Sequence, residues 1–306
     1  MTTPVVSVIL PTFNRAALLS MSAGSVLAQS FRDLELIVVD DGSKEDIESA
    51  VRALGDTRAT CIRRPVSGGP AAARNTGLMA ARGQYVAFQD SDDEWLLDKL
   101  ALQLADLEKE RSGAMCICGL LRRNKSRIRR YIPPLTNHAG EESFSAIASR
   151  PIAYTQTWLV PRKELIQVGG FDEQLRVWED FELLLRLSKI LSIQSMSTPL
   201  VISEQGEDSI TNENNAAFHD AMTLILEKYH KELIGLPSER AGLSYTRARL
   251  SFKAGQMSEA RQDLWSAITS DPLKWRAWIL LVGSVLGEKS VSWLLDTAVS
   301  SAEQKK

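Results

Sequence analysis

The sequence predicts an α/β fold with a doubly wound, mostly parallel sheet, followed by a smaller all-α region. Three observations carry this. Short β-branched apolar runs alternate with segments of helical periodicity in the first part of the chain. Acids, glycines and prolines punctuate the ends of those runs. From Ala217 onward the pattern is helical throughout.

The elements follow in order. Val5–Leu10 ("VVSVIL") reads as a buried strand ended by Pro11. Asn14 is placed as the N-cap of a helix from Ala16 to Gln29. Leu34–Val39 is the second strand, closed by "DDGS". Asp46 to Leu54 reads as a short helix and Ala59–Ile62 as the third strand. Pro70 suits the first turn of a helix continuing to Arg82. Tyr85–Phe88 is the fourth strand, after which Leu97, Leu100, Leu104 and Leu107 recur at helical spacing. Beyond Gly113 the pattern loosens. "MCICGLLRRNKSRIRRYI" reads as two strands around a turn at Asn124–Lys125–Ser126, "AYTQTWLV" as a strand, and Val177 to Leu191 as a helix. "SEQGEDSITNENN" reads as a polar loop or linker. The expected domains are therefore 1–215, α/β, and 216–306, helical.

In a doubly wound sheet, ligands bind outside the carboxyl ends of the strands. Asp40 and Asp41 end strand two, and Asp90, Asp92 and Asp93 end strand four. Both acid clusters thus fall on the ligand-binding edge.

Composition excludes several classes. The 306 residues, 44% hydrophobic and 24% charged, suit a large domain plus a small one. A formal net charge of −2 and a pI near 6.0 give no global field for nucleic acid. The N-terminus lacks a basic leader and reads as a strand rather than a signal peptide. No uninterrupted apolar run approaches the ~18 residues of a spanning helix. Cys61, Cys116 and Cys118 are odd in number and form no CxxC, as expected of reduced thiols in a cytoplasmic protein. His138, His219 and His230 have no zinc-ligand spacing.

Each motif has two readings. In "YVAFQDSDDEW", Ser91 or Asp92 caps a helix with Asp93 and Glu94 in its first turn. Alternatively the acids hold a hard cation such as Mg²⁺ or Mn²⁺, which also relieves their mutual repulsion. In "VVDDGS" two acids open a turn with Gly42 at its tight position. "SGGPAAARNTGL" offers Gly68 and Gly69 for close approach of a ligand to the backbone. Its helix start presents a positive dipole end, and Arg74 lies one turn in, either for a phosphate or base or as a surface residue. In "GGFDEQLRVWEDFELLLRL" a Gly–Gly turn precedes an acid-capped helix with Phe181, Leu184, Leu185 and Leu187 facing the core.

The order of these segments resembles the family 2 inverting glycosyltransferases of the GT-A fold, over about Val5 to Ser209. The resemblance implies a GT-A domain binding a nucleotide-diphosphate sugar. Pro11, Thr12 and Asn14 after strand one, and Asp41 with Asp40 beside it, then hold the base and ribose. Arg74 contacts the nucleotide. The DxD motif falls on Asp90 and Asp92 with Ser91 between them at the donor, and Asp92, with Asp90, is the ligand of Mn²⁺ or Mg²⁺. The "ED" pair implies Asp180 as general base with Glu179 beside it. An inverting transfer needs such a base, because the acceptor hydroxyl loses its proton as it attacks. One departure concerns a Tyr–Arg–x–His pattern of many relatives. Here "PLVISEQGEDSIT" has no histidine, although Ser209 and Ile210 fit the pattern's end.

Two further segments stand out. "RRNKSRIRR" places six basic residues between Arg122 and Arg130, as a solvated hairpin or as contact with an acidic acceptor or anionic lipid. "RARLSFKAGQMSEARQDLWSAITSDPLKWRAWILL" resembles a tetratricopeptide unit, with Gly255, Ala260, Leu264, Ala267 and Pro272 at its marked positions. Trp278 and Leu281 fit the start of a second copy. The blander reading is a helical extension, and "WILLVGSVLG" suits at most an interfacial helix. The expectation is a metal-dependent inverting glycosyltransferase, cytoplasmic or peripheral at the inner membrane face. Its partners are a nucleotide-sugar donor, UDP by default, and a glycan or lipid-linked acceptor, with oligomer or protein contacts through the helical tail. The rival is a non-catalytic nucleotide-sugar-binding protein whose tail recruits a partner. A sugar nucleotidyltransferase would need a glycine-rich loop after strand one, which "PTFNRAALL" lacks.

Overall fold

The computed structural model describes residues 3–109, 113–123, 128–133, 139–150, 153–204 and 215–287, with 291, 294 and 295. The chain divides into two compact units, Met1–Ile147 with Ile152–Ser209, and Ala148–Pro151 with Ile210–Lys306. The loop read over Glu204–Asn215 falls almost wholly outside the described residues, as do the turn at Asn124–Ser126 and Ser209 and Ile210.

The first unit runs β1 (Val6–Thr12), α1 (Leu19–Leu27), β2 (Leu34–Asp40), α2 (Ile47–Ala53), β3 (Ala59–Arg63), α3 (Gly69–Ala80), β4 (Tyr85–Phe88), β5 (Asp93–Trp95) and α4 (Lys99–Leu107). It continues through β6 (Ala114–Arg123), β7 (Ile128–Tyr131), α5 (Glu141–Ala148), β8 (Trp158–Pro161), α6 (Arg162–Gln167), α7 (Glu179–Ser188) and β9 (Ser192–Glu204). One sheet holds all the described strands in the order β3-β2-β1-β4-β8-β6-β9-β5, with β7 on β6. Most paired residues lie in parallel ladders, β3–β2–β1–β4 and β6–β9, with antiparallel pairs around β8, β5 and β7. The α/β fold read from the alternation is the fold found.

Alternation along β1 explains both helical layers. Val8 and Leu10 pack with Leu19, Ala23 and Val26 of α1. Ile9 points to the opposite face, where α3 approaches so closely that a Cβ on Gly77 would lie 2.4 Å from its Cγ2. The register pairs Thr12 with Asp40 and Ile9 with Phe88, so the carboxyl ends of β1, β2 and β4 lie side by side.

Several expectations are corrected. β1 continues through Pro11 to Thr12 rather than stopping at Leu10. Its odd residues face β4, as the bonds from Tyr85 N to Val5 O and from Gln89 N to Ile9 O show. Pro11 lies beyond the last β4 pairing, at Phe88, so its missing N–H costs no ladder bond. Asn14 caps no helix. It sits at φ 51°, a single 3₁₀ turn covers Ala16–Leu18, and α1 begins only at Leu19. The acids after β4 do not open a helix either: Asp93–Trp95 pairs with β9, and α4 starts at Lys99, whose ammonium lies 3.9 Å over the Trp95 ring. Leu97 is accordingly exposed, while Leu100, Leu104 and Leu107 join the core. In "AYTQTWLV", Thr155–Thr157 forms a 3₁₀ turn and only Trp158 onward is strand. The three thiols are free and lie in β3 and β6, and burial pushes Cys61 up to about 11 and Cys116 up to about 12.

The second unit contains α8 (Asn215–Lys228), α9 (His230–Ile234), α10 (Pro237–Lys253), α11 (Met257–Ser270) and α12 (Trp275–Val285). A turn through Gly255, φ +76°, folds α11 back on α10, and Arg247 pairs with buried Asp263 across them. Ala260, Leu264 and Ala267 are fully buried there with Ala241 and Ala248. The inner side of α12 is Ala277, Leu280 and Gly283, while Trp275, Trp278, Ile279, Val282 and Val285 are exposed. Among the described residues no helix is long and apolar enough to cross a membrane.

Gly77→Ala is expected to destabilise the first unit by about 1–3 kcal/mol, because a stiff, fully buried β-branched side chain must yield. Gly24→Ala, where the new Cβ meets open space within α1, should instead stabilise by up to ~1 kcal/mol. Urea midpoints of the two variants test both signs.

Candidate active site

The carboxyl ends of β1, β2 and β4 and the start of α7 carry the residues singled out by sequence. Beside β1, Asn14 N–H donates to Ser43 Oγ at 2.9 Å and Lys44 N–H to Asn14 Oδ1 at 2.8 Å. Its left-handed backbone therefore serves to clamp the β2–α2 turn. Asp40, buried at the end of β2, accepts from Ser43 N at 2.8 Å within the same turn. Pro11 is half-buried at the end of β1. Thr12 is buried, and its hydroxyl finds no partner in the protein. A buried hydroxyl without a protein partner is open to water or a ligand.

Asp41 is saturated. Arg64 and the Ser67 hydroxyl bond its carboxylate, and Gly68 and Gly69 N–H donate to it at 3.1 and 2.8 Å. The acid thereby fixes the glycine turn that starts α3, with Gly69 at φ +85°. A Cβ on Gly68 would meet the Arg64 guanidinium at 2.7 Å.

One turn into α3, Arg74 is buried between two carboxylates. Nη1 donates to Glu179 Oε1 at 2.7 Å and Nη2 to Asp90 Oδ1 at 2.8 Å. Its guanidinium lies 5.5 Å from the Phe171 ring centroid, and Nε has no protein partner. Burial alone would lower its pKa, but Asp90 and Glu179 more than offset that and raise it. The neighbouring Asn75 holds the approach to α7. Its amide donates to Phe171 O at 2.9 Å and accepts from Phe171 N at 2.8 Å. A Cβ on Gly170, φ +68°, would fall 2.5 Å from Asn75 Oδ1, so the Gly–Gly turn is a steric requirement.

At the DxD segment, Asp90 is held by Arg74, while Arg15 Nη1 donates to Asp92 Oδ2 at 2.9 Å and to Ser91 Oγ at 3.3 Å. Asp93 is buried beneath, accepting from Gln156 Nε2 at 2.7 Å. Burial, then Asp90 and Asp92, push it well above the usual carboxylate range. At α7, Trp178 takes a left-handed backbone, φ 59°, and packs edge-on against Phe181. Phe181 N–H donates to Asp180 Oδ1 at 2.7 Å at the start of α7. Although part of its surface stays open, burial and then Glu179 push it up to about 8, against the pull of Arg74.

The structure thus joins Arg74, Asp90 and Glu179 in one network, Asn14 and Asp40 through Ser43, and Ser91 with Asp92 through Arg15. Sequence reasoning missed Arg15, Arg64, Asn75 and Phe171. Arg15 and Arg64 follow strands one and three at the same edge as the acids, and that position was their signal. Asp92 and Asp90 offer carboxylate oxygens, the donor type a hard divalent cation takes, and two such residues would leave positions for phosphate oxygens and water. Among the described residues no group of three or more His, Cys, Asp or Glu gathers as a closed metal cage.

The Glycosyl transferase family 2 model matches residues 7–169, more than half of the chain. The chain belongs to glycosyl transferase family 2. A second model, Glycosyltransferase like family 2, matches 141–222. This family 2 chain is 34% identical over 129 residues to the Escherichia coli UDP-Glc:alpha-D-GlcNAc-diphosphoundecaprenol beta-1,3-glucosyltransferase WfgD, covering 42% of this chain and 51% of that protein. It therefore spans about half the length of that relative. Residues 1–349 of S. aureus TarS in complex with UDP-GlcNAc superpose with a TM-score of 0.70 at 17% identity, over 97% of this chain and 92% of that one. The mannosyltransferase PcManGT of Pyrobaculum calidifontis with GDP-Man and Mn²⁺ gives a TM-score of 0.60 at 18% identity, over 100% and 89%. The likeness is one of fold, and the fold of this family 2 chain is GT-A-like.

Arg74→Ala should lower stability by about 3 kcal/mol, the low end for removing one member of a buried pair. The low end applies because Asp90 keeps 28% of its side chain exposed. Denaturant unfolding at neutral pH measures it.

Proposed function

We propose that the chain is a metal-dependent inverting glycosyltransferase, moving a sugar from a nucleotide-diphosphate donor, UDP by default, to a hydroxyl of a glycan or lipid-linked acceptor. The observation that carries this is the Arg74 network. It ties the acid after β4 to the start of α7, so donor-side and acceptor-side carboxylates share one site. WfgD, by its name, takes UDP-Glc and a diphosphoundecaprenol-linked acceptor, and TarS is seen with UDP-GlcNAc, which supports the donor and acceptor classes.

In this reading Thr12, Asn14, Asp40 and Asp41 shape the base and ribose pocket at the ends of β1 and β2, with Pro11 in its wall. Asp92, with Asp90 and Ser91 beside it, would hold Mn²⁺ or Mg²⁺, which supplies positive charge opposite the leaving diphosphate. Asp180 removes the acceptor proton as the hydroxyl oxygen bonds the anomeric carbon. The bond from that carbon to the diphosphate oxygen breaks on the opposite face, so configuration inverts. Glu179 stays paired with Arg74 and keeps Asp180 basic through its charge. The raised Asp180 favours this reading over a non-catalytic sugar-nucleotide binder.

The domains are assigned as 1–215 for catalysis and 216–306 for the helical extension, whose α10–α11 hairpin we read as tetratricopeptide-like and suited to a protein partner or oligomer. We place the protein in the cytoplasm, peripheral at the inner membrane face. The lipid-linked acceptor of WfgD, the basic run Arg122–Arg130 and the exposed apolar side of α12 support that placement.

Two variants separate the roles. Asp92→Asn is expected to abolish the Mn²⁺ dependence of UDP binding in calorimetry, and equal wild-type affinity with EDTA would remove the cation from the reading. Asp180→Asn should keep donor affinity yet lose about 10²–10⁴-fold in transfer. For wild type, kcat/KM should rise with pH through an apparent pKa near 8, because the base acts deprotonated. A flat wild-type profile, or transfer by Asp180→Asn within a few-fold, would assign the base to another group, Glu179 first.

A further inference from the structure

Asp92 is paired in the free protein with a cation supplied by the chain. Arg15 reaches it from the segment after β1, donating to Asp92 Oδ2 at 2.9 Å and Ser91 Oγ at 3.3 Å. The two side chains are 31% and 37% exposed, so this pair is open to water and of the weak, readily exchanged kind. Arg74 differs in every respect, being buried and held by two carboxylates. Of the two guanidiniums that reach the DxD acids, Arg15 is therefore the one that can change partners at small cost.

The backbone beneath Arg15 is fixed. Asn14 is clamped on both sides by the β2–α2 turn, Ala16 N–H donates to Glu45 Oε2 at 2.7 Å, and Leu18 N–H donates to Arg15 O at 3.1 Å. The Arg15 side chain can thus leave Asp92 while its Cα stays at the ligand edge. A guanidinium and a divalent cation compete for the same carboxylate, since each needs its charge. Once displaced, a planar fork of N–H donors beside that edge matches phosphate oxygens well.

We infer that Arg15 is an exchangeable counter-ion: it neutralises Asp92 in the free protein, yields that carboxylate to the divalent cation, and then donates to the diphosphate of the donor. This rests on the proposed function, in which Asp92 holds the cation. It makes cation and nucleotide binding mutually reinforcing. Without a diphosphate, the cation must displace Arg15 and leave it unpaired. With one, the displaced guanidinium gains an anion.

The test measures two affinities on full-length protein, Mn²⁺ alone by electron paramagnetic resonance of the free ion, and UDP or GDP at saturating Mn²⁺ by calorimetry. Arg15→Ala is expected to bind Mn²⁺ alone about two- to fivefold more tightly, having lost its internal competitor. It should bind the nucleotide about tenfold or more weakly, having lost a charged donor. Arg15→Lys keeps the charge, so Mn²⁺ alone should bind as in wild type while the nucleotide still binds more weakly. A purely structural role would weaken both affinities together. Unchanged or weaker Mn²⁺ binding by Arg15→Ala, or unchanged nucleotide affinity, overturns the inference while leaving the proposed function standing. Nucleotide binding by wild type that ignores Mn²⁺ overturns the cation role of Asp92 first, and the inference with it.

Discussion

A buried guanidinium must find carboxylates, and Arg74 takes two that are far apart in the chain, Asp90 after β4 and Glu179 at the start of α7. Removing either acid would leave a buried positive charge partly unpaired, an arrangement costing several kcal/mol. The remaining geometry follows from that demand. α3 must lie close to β1, which Gly77 permits against Ile9. The strand carrying Asp90 must end level with the start of α7. The segment leading into α7 must press on α3, and Asn75 secures it through both backbone groups of Phe171. Adjacent residues of one helix, Arg74 and Asn75, thus fix the charge pairing and the backbone position of the same distant segment.

The turns that deliver these side chains use backbone conformations of limited availability. Asn14 and Trp178 are the non-glycine residues with positive φ among those described, and both flank the site. Such conformations persist only where surroundings over-determine them. For Asn14 the surroundings are Ser43 and Lys44, and for the Gly68–Gly69 turn they are the several donors converging on Asp41. Asp41 therefore shapes the pocket through the loop it holds, whatever it also offers a ligand.

Much of this was legible in sequence because it rests on local patterns. The β-branched runs gave the parallel strands and their order of acids, and Gly–Gly and Gly–Pro punctuation gave the turns. What failed depended on distant partners. Asp93–Trp95 has the acids of a helix start, yet β9, more than a hundred residues on, offers a strand edge, and tertiary pairing overrides the capping preference. Asn14 has the side chain of an N-cap, but Lys44 N–H takes its Oδ1, while its backbone N–H donates to Ser43. Arg15 and Arg64 were marked only by their place after strands one and three, because one arginine on a loop carries no period. The side-by-side ends of β1 and β4 bring Arg15 to Asp92, and those of β2 and β3 bring Arg64 to Asp41.

Five acids gather around the end of β4 and the start of α7, and each has a different environment. Asp90 and Glu179 are tied to Arg74, and their charge is spent on holding the site together. Asp92 is more open than Asp90, and its partner is the half-exposed Arg15. Asp93 lies buried beneath Asp90 and Asp92, and its raised pKa lets it shed charge where two carboxylates already sit. Asp180 sits next to Glu179 without a guanidinium of its own, so burial and its neighbour's charge lift it toward neutrality. Carboxylates of one chemical kind are thereby given different environments by which of them Arg74 and Arg15 reach. Burial beside like charges is what raises Asp93 and Asp180.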